Sequence, residues 1–181
     1  MPMFHRRRPT VPSAAAIAMT AWVMALAHSG AAAADDFETA GDVLAVLLPL
    51  SAGYCAVRQG EGGDFLAGFL AQGVVVGGLK YGLGESDLNQ RPNGQYQGFP
   101  SGHMSAATFG ATSLAQKCFP ETPALGALAY GLALAVGASR IEADKHNAGQ
   151  VAAGAVIGYF ANGVTVSAGP GSFSLGYTLN F

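Results

Sequence analysis

The chain has 181 residues, half of them hydrophobic and only 11% charged, with a formal net charge of −2. That length suits a single domain able to bury a sizeable core. Its charge content lies between those of a soluble helical protein and a membrane protein, well under the roughly 25% of an ordinary soluble domain. The negative balance speaks against nucleic-acid binding, which relies on surplus positive charge.

The N-terminus carries Arg6, Arg7 and Arg8, then an apolar stretch from Ala14 to Ala27, then Ala31 to Ala34 before Asp35 and Asp36. Residues 1–34 have the layout of a cleaved export signal. A first transmembrane helix is the competing reading, because the apolar stretch and the alanine run together nearly match a bilayer. Either reading places the remaining domain, residues 35–181, in an extracytoplasmic compartment. Without residues 1–34, six Lys/Arg face eleven Asp/Glu, a net of −5.

Five apolar runs follow, at Val43–Val57, Phe65–Leu79, Met104–Ala115, Ala124–Ala138 and Ala148–Ala161. Their length and Ala/Leu content predict helices, separated by Gly-, Pro- and polar-rich stretches. Each run falls short of the ~20 residues of a membrane span, which leaves a soluble bundle and a membrane-embedded one both open. The tail differs. Phe173, Leu175, Tyr177, Leu179 and Phe181 alternate with small or polar residues, a strand pattern, and Val164–Ser167 is its expected hairpin partner. Cys55 and Cys118 form one even pair, either bonded or free as buried thiols; no Cys/His cluster supports a zinc site.

With His5 and His28 set aside, the histidines are His103 and His146, each within a compact polar motif. Lys80 and Arg91-Pro92 lie upstream; Pro100-Ser101-Gly102-His103 precedes the third apolar run; Ser139-Arg140 and His146 bracket a short connection. Arg and Lys bind phosphate oxygens, a helix N-terminus attracts an anion, and histidine attacks or shuttles protons near neutrality. His146 and Gln150 stand four residues apart, on one face of a helix. Together these residues point to phosphate handling.

In that order and composition, the motifs resemble those of the type 2 phosphatidic acid phosphatase (PAP2) and vanadium haloperoxidase superfamily: Lys-x6-Arg-Pro, Pro-Ser-Gly-His and Ser-Arg-x5-His-x3-Asp. The resemblance covers Lys80 to Gln150. The second motif is complete, and the third matches at Ser139, Arg140 and His146. Lys80 and Arg91 are separated by ten residues, and Gln150 stands where the family has Asp; Asp144 is a nearby carboxylate in poorer geometry.

The resemblance implies an all-α bundle of about five to six apolar helices, closed here by a short β-hairpin. It also implies hydrolysis of phosphomonoesters or lipid (pyro)phosphates without metal or other cofactor. In that scheme His146 is the nucleophile, His103 the acid/base, and Gln150 the partner of His146. Lys80, Arg91, Arg140, Ser101 and Gly102 hold the phosphoryl oxygens. The expected setting is periplasmic, in or beside the inner membrane. The alternative, prompted by Gln150, is a weakened or inactive relative that binds phosphate or lipid phosphate without turnover.

Overall fold

The computed structural model describes the backbone of residues 14–169 and 172–178, with side chains from residue 35 onward except at 168. Arg6–Arg8 of the expected export signal, and Leu179 and Phe181 of the alternating tail, lie outside the described residues. The elements run α1 (Ala14–Gln59), α2 (Gly62–Gly82), α3 (Gly102–Ser113), α4 (Pro123–Glu142) and α5 (Ala148–Ala161), followed by β1 (Val164–Gly169) and β2 (Ser172–Tyr177). A short 3-10 turn at Asp87–Asn89 interrupts the α2–α3 connection, and a π turn at Leu114–Cys118 ends α3.

All five apolar runs are helical, and α1, α2 and α4 extend past theirs at both ends, whereas α5 coincides with its run. The Asp35–Gln59 part of α1, α2 and α4 span 25, 21 and 20 residues and are long and apolar enough to cross a membrane. Their runs looked too short because Gly, Ser and occasional charged residues extend these three helices past the apolar stretch; such residues interrupt an apolar run without breaking a helix.

The packing explains the composition. Helix α3 is the hub, with nearly every residue buried and α1, α2, α4 and α5 around it. Small residues let backbones meet. A Cβ on Gly110 would lie 2.5 Å from the Pro49 nitrogen, so α3 crosses α1 at a glycine. On α5, Gly154 and Gly158 press against the carbonyl oxygens of Ser101 and Ser105, leaving no room for a side chain.

On α1, Ala45, Leu48, Ala52 and Ala56 face inward at helical spacing, while Val46, Leu50, Tyr54 and Val57 face out. Leu66, Leu70 and Val74 of α2, and Leu128 and Leu134 of α4, are exposed as well. Small and polar residues, with a few large ones such as Leu48, Phe109 and Val136, therefore lie between helices, and many large apolar side chains lie outside. That distribution, with the three long apolar helices, suits membrane association.

Hydrogen bonds between helices reinforce the interior. Ser105 Oγ donates to Gln72 Oε1, Tyr130 OH to Thr112 Oγ1 at 3.1 Å, and Asn162 Nδ2 to the Phe109 carbonyl at 2.8 Å. Cys55 and Cys118 are joined as a disulfide between α1 and the end of α3. β1 and β2 pair antiparallel with Val164 opposite Tyr177. The hairpin docks where Asp64 Oδ1 accepts the Val166 amide and Tyr177 OH donates to the Phe160 carbonyl.

Successive helices alternate in direction, through short connections everywhere except the long α2–α3 loop of residues 83–101. Alternation brings the start of the membrane-length part of α1, the end of α2, the start of α3, the end of α4 and the start of α5 to one end of the bundle. The disulfide and the hairpin belong to the opposite end.

Candidate functional site

A cavity of about 750 Å³ opens at the first of these ends, lined by Lys80, Arg91, Gly102, His103, Arg140 and His146. Lys145, Glu38 and Asp42 complete its polar wall, and Ala45, Val46, Pro49, Leu50, Phe65, Phe69 and Ala106 form an apolar one. Side chains from all three motifs thus share one cavity, with two carboxylates, Glu38 and Asp42, that belong to no motif.

The long spacing between Lys80 and Arg91 is taken up by loop. Helix α2 stops at Gly82, and the chain returns through the 3-10 turn to bring Arg91 back beside the lysine. Both cations donate to the Gln97 carbonyl, Lys80 Nζ at 2.5 Å and Arg91 Nη2 at 3.4 Å. Asn89 organises this return. Its fully buried side chain donates to the Lys80 and Gly84 carbonyls at 2.8 and 2.6 Å and accepts the Phe99 amide at 3.0 Å. Its own carbonyl accepts the Gly98 amide at 2.7 Å. No periodicity or motif marks Asn89 in the sequence.

Ser101 caps α3, its hydroxyl accepting the Met104 amide. Its own amide donates to the Gln150 carbonyl at 2.9 Å, and the residue is fully buried outside the cavity lining. Gly102 and His103, in the first turn, do line the cavity. His103 is about half exposed, with Nε2 3.0 Å from Asp42 Oδ1. Burial, followed by the nearby Arg140 charge, pushes the His103 pKa below its ordinary 6.5; Asp42 opposes the shift, and Lys80 and Arg91 add to it.

His146 is buried, and its ring is fixed from one side. Nδ1 lies 2.8 Å from the Gly98 carbonyl and 3.3 Å from Gln150 Oε1. A carbonyl oxygen can only accept, so Nδ1 carries the proton and Nε2 keeps its lone pair. Burial, followed by the Lys80 charge, lowers the His146 pKa to about 4; Arg91 adds to the shift, and the bonds from Gly98 and Gln150 partly oppose it. The ring is therefore neutral across the ordinary pH range.

Gln150 does more than accept from His146. Its Nε2 donates to the Leu88 and Gln90 carbonyls at 3.1 and 2.8 Å, which fixes the amide orientation and ties α5 to the α2–α3 loop. Its Oε1 also accepts the Asn147 amide, while Asn147 Oδ1 accepts the Gln150 amide, a reciprocal cap on α5. A Cβ on Gly98 would fall 2.6 Å from Gln150 Nε2 and 2.9 Å from Arg91 Cγ. Only glycine lets the chain pass between those two side chains. Asp144 is exposed in the turn before His146, with φ 53°, and does not line the cavity.

Arg140 is buried at the end of α4 with its donors committed. Nη1 meets Asp42 Oδ1 at 2.6 Å, Nη2 donates to the Glu38 carbonyl at 2.5 Å, and Nε donates to Ser139 Oγ at 3.2 Å. Lys145 Nζ lies 3.2 Å from Glu38 Oε1.

The bundle of apolar helices thus gathers two histidines and a cluster of cations at one end. The PAP2 superfamily model matches residues 61–172, and the chain belongs to that superfamily. Membership supports phosphatase or lipid-phosphatase activity toward phosphate esters. No curated protein and no solved structure gives a match.

Proposed function

We propose that this protein is an exported, membrane-associated phosphatase that hydrolyses phosphomonoesters or lipid (pyro)phosphates through a phosphohistidine intermediate. The observation that carries the reading is His146. Its Nδ1–H is held by the Gly98 carbonyl, which leaves Nε2 as a free base in a cavity shared with four cations and a second histidine.

The chemistry follows from those positions. Nε2 of His146 attacks phosphorus, an N–P bond forms, and the ester P–O bond breaks. Protonated His103 gives its proton to the departing alkoxide. Neutral His103 then takes a proton from water, the hydroxyl oxygen attacks phosphorus, and the N–P bond breaks to release phosphate. Lys80, Arg91, Arg140 and the Gly102 backbone stabilise charge on the phosphoryl oxygens; Ser101 supports this as the cap of α3. The positive charge that develops on His146 is met by the Gly98 and Gln150 oxygens. The apolar wall of the cavity suits an ester with a hydrocarbon portion.

One feature favours the alternative of binding without turnover: Gln150 brings no formal charge to the phosphoimidazolium. The protein purified in detergent is expected to release phosphate from phosphatidic acid or 4-nitrophenyl phosphate, and His146→Ala to stop it. Equal rates in the two proteins would sink the catalytic reading. Vanadate binding by a wild type without turnover would select the alternative. The export reading of residues 1–34 predicts a mature N-terminus at Asp35, read by sequencing the purified chain.

A further inference from the structure

The phosphate reading leaves one arrangement unexplained. Two of the groups it assigns to the substrate are already satisfied by a residue outside every motif. Asp42 Oδ1 accepts from Arg140 Nη1 at 2.6 Å and faces His103 Nε2 at 3.0 Å. A single carboxylate oxygen thus bridges the buried guanidinium and the imidazole, as a phosphoryl oxygen would. One helical turn earlier on α1, Glu38 holds Lys145 through its carboxylate and Arg140 through its carbonyl.

Packing puts the acids there. Gly41, beside Asp42, abuts Ser139 so closely that no Cβ fits between α1 and α4. The acidic face of α1 is therefore pressed onto the end of α4 that carries Arg140. Asp42 remains about half exposed and lines the cavity, so its side chain has room to swing away. A buried guanidinium left without a partner is costly, and a carboxylate beside it pairs with it and fixes its orientation until a substrate binds.

We propose that Asp42 is an affinity-setting residue of this site. Its carboxylate is an internal anion seated between Arg140 and His103, and a phosphate ester binds by displacing it, with Glu38 as the weaker second acid. The proposal rests on the phosphate reading of the cavity and names a residue that the PAP2 motifs do not contain. Exchange favours a doubly charged phosphoryl group, which offers more acceptor oxygens than the carboxylate it replaces. Singly charged anions gain less.

The test is binding, so it does not depend on turnover. Inorganic phosphate and orthovanadate are titrated calorimetrically into the detergent-solubilised full chain as wild type, Asp42→Asn and Glu38→Gln. Removing a like charge next to the bound anion is expected to tighten both ligands by on the order of tenfold in Asp42→Asn, and by roughly two- to threefold in Glu38→Gln. In phosphate release, Asp42→Asn should lower KM more than it changes kcat.

Unchanged or weaker anion binding in folded Asp42→Asn would overturn the proposal and leave Asp42 as a brace for Arg140. If Asp42→Asn does not fold, Glu38→Gln decides, and unchanged affinity there overturns it equally. Failure of the catalytic reading has a separate signature, since wild type would then bind vanadate without releasing phosphate from any ester.

Discussion

The two histidines sit at comparable places, each at the N-terminal end of a helix on the same end of the bundle, yet they are prepared in opposite ways. His146 is buried, and its Nδ1 is fixed by two neutral oxygens on Gly98 and Gln150. His103 is about half exposed, and its Nε2 faces the charged carboxylate of Asp42. The contrast matches the proposed roles. A nucleophile needs one lone pair held in a fixed direction, which uncharged acceptors on a buried ring provide. An acid/base must lose and regain a proton each cycle, which solvent access and a mobile charge assist.

The sharpest way to break this comparison is to remove each histidine in turn and vary the leaving group. His146→Ala is expected to lower phosphate release by a factor on the order of 10⁴ or more, for aryl and alkyl esters alike. His103→Ala should cost about 10²–10⁴ on an alkyl phosphate and far less on 4-nitrophenyl phosphate, whose leaving group needs no proton. Equal leaving-group dependence in the two variants would exchange or erase the assigned roles.

A smaller effect is expected from the scaffold of His146 alone. Gly98→Ala pushes a methyl into Gln150 and Arg91, and a displacement near 1 Å at a reacting group costs about 10² in kcat. Gln150→Asp is expected to lower both activity and melting temperature, although it restores the family residue. The shorter carboxylate leaves the Leu88 and Gln90 carbonyls without their donor, a cost of about 1–3 kcal/mol. A gain of activity in Gln150→Asp would show that charge matters more than the tie to the loop.

Much of this was legible in the residues, and what was not has a physical reason. The helices, the hairpin and the gathering of Lys80, Arg91, His103, Arg140 and His146 follow from periodicity and motif. Gln150 read as a weakened aspartate because spacing reports which residue faces His146. The second job of the amide depends on a loop some 60 residues away in sequence. Asn89 and Gly98 were hidden for the same reason, since their role is backbone hydrogen bonding. Asp42 was hidden because an acid four residues after Glu38 on an apolar helix looks like a solvated turn. Only the close contact of α1 with α4 makes it part of the site.

The mildest test separates the histidines by pH, without mutation. His146 has its pKa lowered to about 4 from an ordinary 6.5. Between those values the unfolded chain takes up a proton that the folded chain refuses. The contribution to stability is therefore complete above about pH 6.5 and lost progressively as pH falls toward 4. The melting temperature should drop over that interval, and by less in His146→Gln.

The same shift keeps the nucleophile neutral in mildly acidic solution, so the acid limb of kcat/KM is expected near pH 4. His103 must be protonated to assist the leaving group, and its pKa lies below 6.5 under the combined influence of burial, Arg140, Lys80 and Arg91 against Asp42. The alkaline limb for an alkyl ester therefore falls below pH 6.5, giving an acidic optimum. Asp42→Asn removes the group that raises the His103 pKa, so it should move the alkaline limb lower and leave the acid limb in place. Movement of the acid limb instead would mean that His146, the histidine Asp42 does not touch, is the one it controls.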